Sequence, residues 1–363
     1  MSSQERPATM KDVATLAGVG LATVSRVVNG TANVNPDLVR RVTEASLKLG
    51  YRHDLTASSL RRADRKTQTI GLVLEDVANP YSSLLHRSVE EACRLRGILV
   101  IAGSSDEDPG REHELVQTFT QRRVDGLIVV PTGRADEEIA RVRRSGTPIV
   151  CVDRLVDIPD VDNVTVDNSG STCEAVLSLI ALGHRRIGYL GDLDTIWTAR
   201  RRYAGYSEAH ARAGLPLDTR LIRRDIHDSE AAEQAVSELL TSAEPPTALF
   251  TAQNLLTIGA VCALRGMGAH RRIALIGFDD FPLADLLEPA VSVIAQDPAA
   301  IGVAAAHLLL ERIDDHDHDH DHRPARHEIV PIRYLPRGSG EIEPERPASA
   351  SPAVVSRGQG PSS

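Results

Sequence analysis

From Met10 to Gly50 the apolar positions recur at helical spacing in three short blocks. Thr9, followed three residues on by Asp12 and then by Val13, Leu16 and Ala17, predicts a capped amphipathic helix that Gly18 and Gly20 interrupt. Leu21–Asn29 then sets Val24, Val27 and Val28 on one face and Ala22, Ser25, Arg26 and Asn29 on the other. Asn35-Pro36 opens a third block with Leu38, Val42, Ala45 and Leu49 at the same period, ended by Gly50. A shorter block follows at 53–62, then a polar linker to about residue 69.

From Ile70 the pattern changes to brief aliphatic runs separated by amphipathic stretches. Ile70–Leu74, Ile98–Ala102, Gly126–Val130 and Pro148–Val152 predict buried parallel strands, with crossover helices over 81–96, 111–122 and 135–145. A second set, Ile187–Leu190, Ala248–Thr251, Ile273–Gly277 and Val291–Ile294, predicts a second α/β half, and Ile329–Leu335 a late returning strand. The fold expected is an N-terminal all-α helix-turn-helix head followed by a short helix, then an α/β two-lobed periplasmic-binding-protein-like body with parallel sheets. The boundaries expected are 1–52, 53–69, 70–337 and a disordered tail rich in Pro, Ser, Gly and Glu over 338–363.

Charge separates the same regions. The 363-residue chain has a net charge of −9, but residues 1–66 hold 11 Lys+Arg against 6 Asp+Glu, so a head of +5 precedes a body of −14. A basic helical module with a glycine-containing turn fits DNA binding, since phosphate neutralisation supplies most non-specific affinity; a generic three-helix interaction domain is the alternative. No run of about 18 apolar residues is available to span a bilayer, and MSSQERPATMKD has no signal-peptide core, which predicts a cytoplasmic protein without a membrane partner. Cys93, Cys151, Cys173 and Cys262 lack CxxC spacing and read as buried small hydrophobes. Gly18-Val19-Gly20 lies among helices rather than after a strand, so it is no dinucleotide loop; no nucleophile–base set stands out, and neither an enzyme nor a cofactor is expected.

Thr9-Met10-Lys11-Asp12-Val13-Ala14, Ala17-Gly18-Val19, Ala22-Thr23-Val24-Ser25-Arg26-Val27-Val28-Asn29-Gly30 and Leu49-Gly50-Tyr51 together resemble the DNA-binding head of the lactose/galactose-repressor family of transcriptional regulators. The resemblance implies DNA contacts from Thr9, Leu21, Ala22, Thr23, Ser25, Arg26 and Asn29. Arg26 suits guanine O6/N7, and Leu21 and Ala22 suit a thymine methyl. It also makes 53–62 a hinge helix contacting the minor groove through Ala57, Leu60 and Arg61, with Leu60 as the wedge; ordinary packing is the other reading of Leu60. Gly20 stands where the family usually has a capping serine.

In the body, Asn79-Pro80-Tyr81, Val152-Asp153-Arg154, Leu182-Gly183-His184, Arg202-Tyr203-Ala204-Gly205-Tyr206 and Ile276-Gly277-Phe278-Asp279-Asp280 match family landmarks. The resemblance implies effector contacts from Asn79, Tyr81, Asp153, Trp197, Arg202, Gln253 and Asp279. Asp279 as a cap, Arg202 as a surface ion-pair partner and Trp197 as core are the alternatives. Gln253-Asn254 replaces the family's asparagine–aspartate pair, and Ile226-His227 lacks its aromatic, so the effector's identity stays open.

The function expected is a repressor that binds a near-palindromic double-stranded operator as a homodimer under control of a small-molecule effector, most naturally a carbohydrate. An effector-independent or metal-responsive regulator is the alternative, the latter because His316, His318, His320 and His322 alternate with Asp in DDHDHDHDH. That run reads as a mobile loop without a formed metal site.

Overall fold

The computed structural model describes residues 6, 8–28, 34–51, 66–133, 136–316 and 324–345. The chain divides into two units, Met1–Thr67 and Gln68–Ser363. Asn29, Ala57, Leu60, Arg61, His318, His320, His322 and 346–363 lie outside the described residues.

The first unit holds α1 (Met10–Ala17), α2 (Leu21–Val28) and α3 (Pro36–Lys48). Thr9 and Asp12 close a reciprocal capping box at the start of α1. Gly18 ends that helix at φ 63°, a conformation most side chains avoid, and Arg41 of α3 donates 2.6 Å to the Ala17 carbonyl. Val13, Ala14, Ala17, Val24, Val42 and Ala45 form the core, so most of the periodicity read from the sequence faces inward, but Leu16 and Leu49 are exposed.

In the second unit, β1 (Thr69–Leu74), α4 (Pro80–Arg94), β2 (Leu99–Ser104), α5 (Pro109–Gln121), β3 (Gly126–Val129), α6 (Asp136–Arg144), β4 (Ile149–Val152) and β5 (Asp162–Thr165) build the first lobe. The chain crosses to α7 (Asn168–Ala181), β6 (Ile187–Leu190), α8 (Trp197–Arg212), β7 (Ile222–Arg223), α9 (Ser229–Thr241), β8 (Ala248–Thr251), α10 (Asn254–Gly266), β9 (Ala274–Phe278) and β10 (Ser292–Ala295). It returns through α11 (Pro298–His316) and β11 (His327–Ile329) and ends in β12 (Arg333–Leu335).

The sheets run β11-β5-β4-β3-β1-β2 and β12-β10-β9-β8-β6-β7. Their ladders are parallel except β10–β12, which is antiparallel. Aliphatic clusters cover both faces of each sheet, as expected for parallel strands flanked by helices. Gly205 lets α8 approach α7, since a Cβ there would stand 2.2 Å from the Ser169 carbonyl oxygen.

Several expectations need correction. Ile329–Leu335 is two short strands in different sheets rather than one, because Val330–Ile332 carries the chain from lobe to lobe. The short strands β5 and β7 were not anticipated. Residues 338–345 are packed rather than disordered: the Ser339 hydroxyl donates 2.6 Å to Leu275 O, Glu341 accepts from Ser292 and Tyr334, and His184 Nε2 lies 2.8 Å from Ile342 O. Polar composition hid this, because the segment is held largely by specific hydrogen bonds, with Ile342 its apolar contact to the core. Asp314–His316 belong to α11 rather than a loop, and Asp314 pairs with Arg96. Cys262 is exposed, whereas the other cysteines are buried.

Candidate functional site

On α2, Val24 is buried while Leu21, Ala22 and Arg26 are exposed and Thr23 and Ser25 half-buried. Core packing thus consumes one face of the helix and leaves an apolar–guanidinium stripe on the other. The Gly20 carbonyl accepts from Thr23 N and Val24 N, so the first turn closes without a capping side chain. Thr9 spends its hydroxyl on the α1 cap.

In the body, a cavity of about 40 Å³ lies where the carboxyl ends of the two sheets meet, the usual ligand position in open α/β sheets. Asn79, Tyr81 and Asp153 reach it from the first lobe and Arg202, Gln253 and Asp279 from the second. Trp197 opens α8 and is half-buried, but its neighbours Ile196 and Thr198 line the cavity in its place; Arg201 lies 6.0 Å over its ring.

Asp153 and Asp279 each leave their strand with positive φ, 66° and 69°, a conformation Asp accepts better than most residues. The Tyr81 hydroxyl donates to Asp153 at 3.4 Å. Gln296 Nε2 donates to Asp279 Oδ1 at 2.7 Å, and Arg202 Nη1 lies 3.6 Å from the other oxygen. Arg202 is fixed from three sides: Nε donates to Asn168 at 2.8 Å, Nη1 to the Ala252 carbonyl at 2.6 Å, and the guanidinium sits 3.7 Å over the Phe278 ring. Burial raises the Asp279 pKa, and Arg202 only partly offsets it.

A second cluster was not foreseen from the sequence. Arg154 donates to Glu107 at 2.9 Å and to the Pro131 carbonyl at 2.7 Å, with Glu75 4.0 Å away. His227 Nδ1 lies 2.8 Å from Asp192, its Nε2 is 3.7 Å from Glu75 of the opposite lobe, and Gln253 donates to Asp192 at 3.1 Å. Burial pushes Glu75 up to about 7; Arg154 opposes this, and Glu107 and Asp192 add to it. The Asp192 hydrogen bond holds His227 up to about 9 against burial. Across the cavity Asn254 donates to Asn79 at 3.0 Å, while Asn79 also caps α4. Arg154 and Asn254 each adjoin a residue singled out in the sequence; Glu75 and Asp192 carried only the signal of following a strand closely.

The comparisons agree with this architecture. Residues 9–54 match the family described as bacterial regulatory proteins, lacI family, and residues 67–337 the periplasmic binding proteins and sugar binding domain of that family. The catabolite control protein A of Priestia megaterium is 31% identical over 83% of this chain and 91% of its own. The ribose operon repressor of Haemophilus influenzae is 31% identical over 84% and 92%. A solved complex of the regulator CelR with cellobiose is 28% identical, with a TM-score of 0.68 over 92% of this chain and 100% of that one. Among the described residues no helix is long and apolar enough to cross a membrane. With a helix-turn-helix head joined to a two-lobed body whose sheets meet at a polar cleft, the chain belongs to the lacI family and is a DNA-binding transcriptional repressor.

Proposed function

We propose that the repressor reads a near-palindromic operator as a homodimer and that a small polar effector, a carbohydrate, sets its DNA affinity by binding between the lobes. The observation that carries the effector reading is the cleft itself: carboxylates, a pinned guanidinium and amides from both lobes converge at strand ends. That is the donor and acceptor set a polyol needs. The cavity has room for a few waters, so an entering ligand separates the lobes, and binding becomes coupled to their arrangement. The ribose operon repressor and the cellobiose complex among its relatives support a sugar.

On the head, Leu21, Ala22 and Arg26 read bases. Thr9, Thr23, Ser25 and Asn29 contact the backbone, and Ala57, Leu60 and Arg61 the minor groove. Dimerisation is supported by an apolar surface on the body: Leu84 of α4 shares a groove with Phe281 and Pro282, and Leu95, Leu99 on the edge strand β2, Leu283 and Leu286 are exposed. An uncovered edge strand with an outward leucine invites a partner.

The test is a metabolite screen by thermal shift on the full chain, with operator competition for each hit. A sugar that shifts both melting and operator affinity is expected. Hits that stabilise the protein without changing operator affinity would refute effector control. Arg26→Ala should lower specific binding by roughly 1–3 kcal/mol with little change in non-specific binding; equal loss on both would remove its base-reading role.

A further inference from the structure

The cleft groups do not balance in charge. Glu75, Asp153, Asp192 and Asp279 line the cavity with Arg154 and Arg202. Glu107 stands behind Arg154, and His227 bridges Asp192 and Glu75. Even with His227 protonated, five carboxylates face three cations. Side-chain exposure runs from 5% at Arg154 and 6% at Glu107 through 12% at Asp192 and 22% at Glu75 to 36% at His227. Solvent therefore screens little of the charge at Arg154 and Glu107 and part of it at the mouth formed by Glu75 and His227, and what stays uncompensated and buried is costly. Independently, the cavity-lining Gln296 has its Oε1 buried with no hydrogen-bond donor, its amide nitrogen being committed to Asp279. The site thus lacks positive charge and, at Gln296, a donor, while Arg154 Nε is a buried donor left without an acceptor.

Resting on the effector reading above, we propose that the effector is a cationic polyol, an amino sugar or a close relative, whose ammonium group is balanced by Glu75 and Asp192, and that phosphorylated sugars are excluded. A neutral sugar supplies hydroxyl donors but no charge, so the closed cleft keeps its excess of carboxylates, reduced only by a proton on Glu75. A sugar phosphate deepens the imbalance. An ammonium supplies charge and three donors at once. In the closed cleft without ligand, a proton on Glu75 serves the same purpose, which is why burial and neighbouring carboxylates raise that group towards neutrality. Replacing the proton by a ligand cation releases it to solvent.

The experiment is titration calorimetry on the full chain at pH 7 with glucosamine, galactosamine and mannosamine, each beside its parent hexose and the hexose 6-phosphate, in two buffers of different ionisation enthalpy. At least one amine is expected to bind about tenfold or more tighter than its parent, with proton release and with the phosphates silent. In Glu75→Gln the preference should fall below about threefold and the proton release should vanish. The proposal is overturned if no amine binds, if a parent hexose or its phosphate binds as tightly as the amine, or if amine binding takes up protons. A neutral hexose that binds as tightly as its amine and changes operator affinity would overturn the charge assignment alone. Effector control itself fails only if no ligand that binds alters operator affinity.

Discussion

At the end of β4 the chain turns through Asp153, and at the end of β9 through Asp279. Both have φ near the left-handed region, and both donate their amides 2.9 Å to the neighbouring strand, at Val164 O and Ile294 O. The two lobes thus present a carboxylate to the cleft by one backbone device. They differ in how the charge is answered. In the first lobe the guanidinium is the next residue, Arg154, which turns to Glu107 and Pro131. In the second it comes from α8, as Arg202, locked on Asn168, Ala252 and Phe278. The repeated sheet fixes where acids stand, while each lobe recruits its own counter-charge from whatever element passes nearby.

The largest test of that difference removes each guanidinium. Arg202→Ala strips the cation from buried Asp279, and Arg154→Ala does the same to Glu107 and Glu75. Each should cost about 3–5 kcal/mol in urea denaturation, the range for breaking a buried pair. Arg202→Lys should recover little, since an ammonium cannot serve Asn168 and Ala252 with the same fork. A loss under about 1 kcal/mol in either alanine variant would show that water reaches that lobe's carboxylates.

The next effect is the response to pH, which separates first-lobe Glu75 from second-lobe His227. Glu75, raised from 4.5 to about 7, holds its proton more tightly when folded, so stability falls as pH rises through that window, by at most about 3 kcal/mol. His227, raised from 6.5 to about 9, contributes stability that is complete below 6.5 and lost as pH rises through about 9. These two groups therefore pull the urea midpoint down between about pH 4.5 and 9, against His184 and His210, whose pKa burial lowers and whose contribution rises as pH rises through about 6.5. Glu75→Gln should flatten the lower part and His227→Gln the upper. A midpoint profile across pH 5–7 with the same slope in Glu75→Gln as in the parent chain would contradict the placement of Glu75 in an acid-rich, largely buried site.

The sequence exposed the scaffold of this site better than its charge balance. Strands buried on both faces are aliphatic along their length, so Ile187–Leu190 and Ala248–Thr251 read with their observed ends. The four-residue β5 and two-residue β7 carry too few apolar positions for periodicity to reveal them. In the head, the Thr9–Asp12 box and the Asn35-Pro36 start were plain because capping is local chemistry. Asn79, Tyr81, Asp153, Arg202, Gln253 and Asp279, taken from the family resemblance, all reach the cavity, whereas Trp197 does not line it. Glu75 and Asp192 were missed because their meaning depends on the meeting of loops far apart in the chain, which no local pattern encodes; His227 stood out only as occupying a position where the family often has an aromatic residue.

The smallest effect concerns the neutral bond across the cleft. Asn79 Oδ1 accepts from Tyr81 N, capping α4, and from Asn254 Nδ2 of the other lobe, both at 3.0 Å. Asn254 also accepts from Leu255 N, but Gln253 accepts from the same amide, so the α10 cap survives loss of Asn254. Asn254→Ala therefore removes little besides the cross-cleft bond and should cost about 0.5–1.5 kcal/mol. Asn79→Ala removes the bond and the cap together and should cost about 1 kcal/mol more. In the double variant the cross-cleft contribution can be lost only once, so the combined cost should equal that of Asn79→Ala rather than the sum. Strict additivity in urea denaturation would mean that the two asparagines do not hold the lobes together in solution, and that closure rests on the charged groups alone.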